Sequence, residues 1–112
     1  MNSYHYTTTT PETLEAFRNR PCSLPFFDQN YRPPTPEEIH NLRKLMGLSQ
    51  ANLARVLGVS FNEKGSNTVR KWETAEGKEN HRPIVYATWR LMLAVAGIIE
   101  PTKDMEKLKE IR

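Results

Sequence analysis

The sequence predicts an all-α protein built as a small helical bundle. Apolar residues recur at helical spacing in stretch after stretch, each bounded by residues that start and stop helices. No strand-like alternation persists for more than a few residues. With 112 residues and 38% hydrophobic content, the chain has material for one domain and one core.

The elements follow in order. In "TTPETLEAFRNRP", Thr10 is placed to cap a helix and Pro11 suits its first position. Leu14 and Phe17 give that helix one apolar edge, and Pro21 ends it. The next stretch, "PCSLPFFDQNYRPP", carries prolines at 21, 25, 33 and 34 and is expected to be extended. Leu24, Phe26, Phe27 and Tyr31 make it too apolar for a solvated linker, so it should lie across the domain and pack. Residues 1–34 are therefore an N-terminal arm: a short helix followed by an extended, proline-rich segment.

A second Thr-Pro-Glu start follows at Thr35, Pro36 and Glu37, with Ile39, Leu42 and Arg43 matching Leu14, Phe17 and Arg18. Two amphipathic helices sharing an efficient N-terminus explain this better than an internal repeat. Thr35 and Glu38 form a capping box, Ile39, Leu42, Leu45 and Met46 make the buried stripe, and Gly47 closes the helix. Ser49 caps the next helix, in which Leu53, Ala54, Val56 and Leu57 face inward before Gly58 ends it. A third helix starts at Ser66 or Asn67 and runs to about Thr74. After "AEGKENHR", Pro83 opens a longer helix to about Ala96. Tyr86, Trp89, Leu91, Met92, Leu93 and Val95 leave it little polar face, as expected of a central core helix or a dimer contact. Residues 35–99 form the main domain. Residues 100–112 are a final amphipathic helix capped by Thr102, with Met105, Leu108 and Ile111 spaced by three.

Several function classes have no support. No apolar run approaches the roughly 18 residues of a membrane span; the longest is Leu91 to Ile99. "MNSYHYTTTT" has neither the charged start nor the apolar stretch of a secretion signal. A single cysteine, Cys22, excludes an internal disulfide framework and suits a reducing cytoplasm, the expected location. His5, His40 and His81 combine with Cys22 at no zinc spacing, and no nucleophile elbow, phosphate-cradling glycine loop or scaffolded carboxylate pair is present. The chain is read as a non-enzyme without metal or cofactor.

Charge points to a different chemistry. The net charge of +3 falls entirely in residues 34–99, because the first 33 residues hold three acids and three bases and the last thirteen hold four of each. Lys64, Arg70 and Lys71 form a run without an intervening acid, compatible with a phosphate-facing surface. Two short helices joined by a turn, the second presenting basic residues, are the parts of a helix-turn-helix, whose second helix enters the major groove. Ala54 lets the helices approach, Gly58 permits the left-handed turn, and Val59 plugs the space beneath it. Val69 and Trp72 anchor the second helix, leaving Ser66, Asn67, Arg70 and Lys71 on its outer face. Trp72 and Trp89 are core residues rather than base-stacking platforms. Arg43, Lys44 and Arg55 are read as solvent-facing charges, and His40 as a surface residue.

Residues 35–83 resemble the Cro/lambda-repressor-like (Xre-type) helix-turn-helix family. The resemblance rests on "LRKLMGLSQANLARVLGVS", "TVRKWE", Gly77 and the Arg82-Pro83 pair, and covers less than half of the chain. It implies a five-helix bundle that binds operator DNA, usually as a homodimer on an inverted repeat, with half-sites about 34 Å apart. By position it implies base contacts from Ser66, Asn67, Arg70 and Lys71, and phosphate contacts from Gln50, Lys64 and Arg82. The segment "HRPIVYATWRLMLAVAG" is further similar to phage-borne regulators, including anti-CRISPR-associated (Aca-type) autorepressors.

The chain departs from the family in two places. The turn from Phe61 to Asn67 is lengthened, and Thr74 to Glu76 widen the spacing before Gly77. The arm has no counterpart in the family core. The function expected is a DNA-binding transcriptional repressor acting on its own gene. Two alternatives stand beside it: an antitoxin-type protein whose arm docks a protein partner through Phe26, Phe27 and Tyr31, and an RNA-binding regulator using the same basic face.

Overall fold

The computed structural model describes residues 10–111, and six α-helices lie among them. They are α1 (Leu14–Phe17), α2 (Pro36–Leu45), α3 (Gln50–Leu57), α4 (Asn67–Glu73), α5 (Tyr86–Val95) and α6 (Pro101–Glu110), with a 3-10 turn at Pro21–Ser23. Among the described residues, the one extended pairing is an isolated bridge between Asn62 and Gly65. No helix among them is long and apolar enough to cross a membrane. His5 lies outside the described residues.

Local chemistry accounts for the central helices. Thr35 and Glu38 make the capping box that starts α2: Glu38 N–H donates to Thr35 Oγ1 at 3.1 Å, and Thr35 N–H donates to Glu38 Oε1 at 2.9 Å. Ser49 caps α3 by accepting the Asn52 N–H, and Gly58 ends it at φ 76°. Ser66 caps α4.

The buried faces meet in a single core. It joins Ile39 and Leu42 of α2, Leu53 and Ala54 of α3, Val69 and Trp72 of α4, and Trp89, Met92 and Leu93 of α5 to Phe17 and Cys22 of the arm. Each large apolar side chain buried there contributes about 1.5–3 kcal/mol relative to exposure. The arm is also stitched down by polar contacts. Trp89 Nε1 donates to Cys22 O at 2.7 Å, Arg90 Nη1 to Ser23 O at 2.9 Å, and Arg18 to the carbonyls of Gly97 and Ile98 at 3.1 Å each. Arg90 Nη2 also reaches both Asp104 oxygens at 2.6 Å, fastening α6 to α5.

Five local expectations are corrected. Helix α1 is capped by Thr13 rather than Thr10, because Asn41 donates to Pro11 O at 3.2 Å and holds that residue outside the helix. The proline-rich stretch is a run of turns rather than an extended strand, with Asp28 N–H donating to Pro25 O and Tyr31 N–H to Asp28 O. Helix α5 starts at Tyr86 rather than Pro83, since Arg82 N–H is drawn to Lys71 O at 3.1 Å and Ile84 inserts into the core. Helix α6 starts at Pro101, placing Thr102 inside it rather than at its cap. Val56 is 44% exposed, and α5 keeps Leu91 and Val95 on the surface while burying Trp89, Met92 and Leu93.

Candidate nucleic-acid interface

Helices α2 and α3 both pack against α4, whose Val69 and Trp72 are buried. That anchoring turns Asn67 and Arg70 outward, where Arg70 Nη2 donates to Asn67 Oδ1 at 3.2 Å. The cap of α4 does double duty. Ser66 Oγ accepts the Val69 N–H at 3.1 Å and donates to Ser60 O at 2.6 Å, so one hydroxyl starts the helix and closes the base of the loop before it.

The lengthened turn is a folded element. Asn62 N–H donates to Gly65 O at 2.8 Å, Gly65 N–H donates to Asn62 O at 3.2 Å, and Asn62 Oδ1 accepts the Lys64 N–H at 2.8 Å. At its start the Arg55 guanidinium lies 4.5 Å from the Phe61 ring centroid, a cation–π contact from α3.

Five of the sequence-assigned contact residues come together. Gln50, Lys64, Ser66, Asn67 and Arg70 line one groove of about 240 Å³, with Asn62 and Gly65 completing it. Lys71 is half-buried and does not line that groove. Arg82 lies beyond the end of α4, where its guanidinium donates to the carbonyls of Glu79 and His81. Ser66 is only 4% exposed and its hydroxyl is occupied, which makes it the cap beneath the exposed Asn67 and Arg70 rather than a free group beside them.

One residue central to the site carries no assignment from the sequence. Glu73 closes α4 and gathers three partners. Arg43 forks onto it, Nε to Oε2 at 2.6 Å and Nη2 to Oε1 at 3.0 Å, while Gln50 Nε2 donates at 3.1 Å and His40 Nδ1 lies at 3.0 Å. Arg43 Nη1 also donates to Leu48 O, so the α2–α3 turn joins the same network. Burial pushes the Glu73 carboxyl up, but the hydrogen bonds from Arg43, His40 and Gln50 outweigh it and hold the group below the ordinary carboxylate range. The expectation of a solvent-facing Arg43 is therefore corrected: it is buried, because it falls four residues after Ile39 on the inward stripe of α2. That spacing was the available signal, since a buried arginine requires a carboxylate partner.

The arm presents a separate face. Phe26, Tyr31 and Tyr86 form an aromatic cluster with centroids 5.1 to 5.6 Å apart, and Tyr86 Oη accepts the Phe26 N–H. Phe26 nevertheless stays 65% exposed and Phe27 39% exposed. Among the described residues no cluster of three or more His, Cys, Asp or Glu side chains could hold a metal ion.

No family model matches the chain. Two proteins from Escherichia coli, each named transcriptional repressor protein KorC, are similar to it. One is 34% identical over 70 residues, covering 62% of this chain and 74% of that protein. The other is 40% identical over 65 residues, covering 58% of this chain and 68% of its own length.

Proposed function

Because the chain belongs to the KorC family of transcriptional repressors, we propose that it represses transcription by binding a specific sequence in double-stranded DNA. Helices α3 and α4 act as a helix-turn-helix with a lengthened turn, and α4 enters the major groove. The observation that carries this reading is the groove where Gln50, Lys64, Asn67 and Arg70 converge over the Ser66 cap. Arg70 reads a guanine edge, and its hydrogen bond to Asn67 preorients both side chains. Gln50 holds a phosphate, fixed in place by Glu73. Lys71 and Arg82 flank this surface and add phosphate contacts.

The finer reading is a homodimer on an inverted repeat that controls its own gene. Apolar surface for a second copy remains on Leu91 and Val95 of α5, on Met105 and Leu108 of α6, and on Ile111 just past its end.

The test is selection from a random duplex pool by the full chain, followed by titration of the selected duplex against hairpin RNA. The expected outcome is an enriched inverted repeat bound by two chains, with RNA competing weakly. Arg70→Ala should weaken that complex by about 1–3 kcal/mol and relax the preference at one base of each half-site. Enrichment of no sequence, or an Arg70→Ala variant with full affinity and preference, would reject the reading.

A further inference from the structure

The lengthened turn has more structure than a spacer between two helices needs. It is closed at its tip by the paired hydrogen bonds between Asn62 and Gly65, and at its base by Ser66 on Ser60. Arg55 stacks on Phe61 and ties its first residue to α3. Ser66 both clamps the turn and caps α4, so one hydroxyl joins the turn to that helix.

The chemistry the turn presents is one-sided. Asn62 lines the groove with its side-chain oxygen held by the Lys64 N–H, and its amide nitrogen can donate two hydrogen bonds. The Lys64 ammonium is exposed and has no carboxylate partner among the described residues. No carboxylate lines the groove; Glu63, on the same turn, stays outside it. Amide donors and an ammonium with no opposing acid make a seat for an anion.

We infer that the inserted turn is a second DNA-contacting element. Asn62 and Lys64 clasp one backbone phosphate of the duplex, while Asn67 and Arg70 read bases beside it. Phe61 and Arg55 brace the turn so that the phosphate seat is preformed. The inference rests on the DNA-binding reading above and adds Asn62, Phe61 and Arg55 to its machinery.

The experiment uses the full chain and the duplex it selects, with each phosphate in turn replaced by a neutral methylphosphonate. Two variants separate the donors: Lys64→Ala, and Asn62→Asp, which keeps the oxygen that closes the turn but removes the amide donor. The expected result is one phosphate per half-site whose neutralisation weakens the wild-type complex several-fold. Both variants should bind the unmodified duplex several-fold more weakly and show little further loss at that phosphate. Base preference and melting temperature should stay as in the wild type. For Lys64→Ala, the slope of log affinity against log salt should fall by about one per bound chain. Arg70→Ala should keep its sensitivity at the same phosphate.

Variants that bind like the wild type, with the same phosphate sensitivity, would overturn the inference and leave DNA reading by α4 standing. An altered base preference in Asn62→Asp would overturn it as well, by making Asn62 a base reader. If the wild-type chain selects no duplex at all, the inference falls together with the DNA-binding reading.

Discussion

Glu38 and Glu73 are both carboxylates buried among arginines, but they fasten different parts of the molecule. Glu38, with its side chain 2% exposed, accepts from Arg20 Nε at 2.8 Å and from both Arg32 Nη atoms at 3.1 Å, so it holds the arm against α2. Glu73 holds α2, α3 and the α2–α3 turn against α4 through Arg43 and Gln50. Both groups titrate low for the same reasons: burial raises each, and hydrogen bonds outweigh it, from Arg32, Thr35 and Arg20 at Glu38 and from Arg43, His40 and Gln50 at Glu73. The difference lies in the partners. Arg20 and Arg32 sit at the rim and can turn into water, whereas Arg43 is enclosed and also bonded to Leu48 O. The cost of breaking a buried ion pair depends on whether the partner left behind can rehydrate.

That contrast sets the size of each effect. Glu73→Ala strands a buried guanidinium and should lower unfolding stability by about 3–5 kcal/mol, read from urea denaturation, with specific DNA binding lost at the same time. A loss no larger than for an exposed residue would show that Arg43 escapes to solvent. Glu38→Ala should cost less, about 2 kcal/mol, because its arginines can rehydrate. Its signature is local release of the arm. Burial, reinforced by the Glu38 carboxylate, now pushes the Cys22 thiol up to about 12, so the buried wild-type thiol should react slowly and the variant's faster. An unchanged labelling rate would detach Glu38 from arm docking.

The mildest perturbation is acid. Both carboxyls have folded-state values below the ordinary 4.5, so their contribution is complete above that pH and drains away as pH falls through the lower folded values. The urea midpoint of the wild type should be level with respect to these groups above about pH 4.5 and decline below it. Glu73→Ala should show a shallower decline. Equal acid slopes in the two proteins would mean that Glu73 is not a linked group.

The two Thr-Pro-Glu starts show how far local sequence carries. Around Thr35 the pattern and the structure agree in full: Pro36 opens α2 and Glu38 completes the box. Around Thr10 the same pattern fails, because Asn41 bonds to Pro11 O and passes the cap to Thr13. Pro83 fails in the same way, overridden by the Arg82 N–H bond to Lys71 O. Capping preferences are worth about 0.5–2 kcal/mol, which a single tertiary contact can reverse. The groove was legible as a set of residue types, since Gln50, Lys64, Ser66, Asn67 and Arg70 were all named from spacing and resemblance and all line it. The role of Glu73 was not, because its partners come from two other helices.

By itself, the sequence determined the helical character, the central caps, the glycine stops and the basic character of the α4 face, because each depends on residues within a few positions of one another. Tertiary structure decided which hydroxyl of α4's surroundings is spent, where the arm lies, and which charges are buried. Ser66 is tied to Ser60, Trp89 to Cys22, and Arg43 to Glu73, across separations of 6, 67 and 30 residues. Such contacts form only once the core has brought distant segments together, so no local pattern records them.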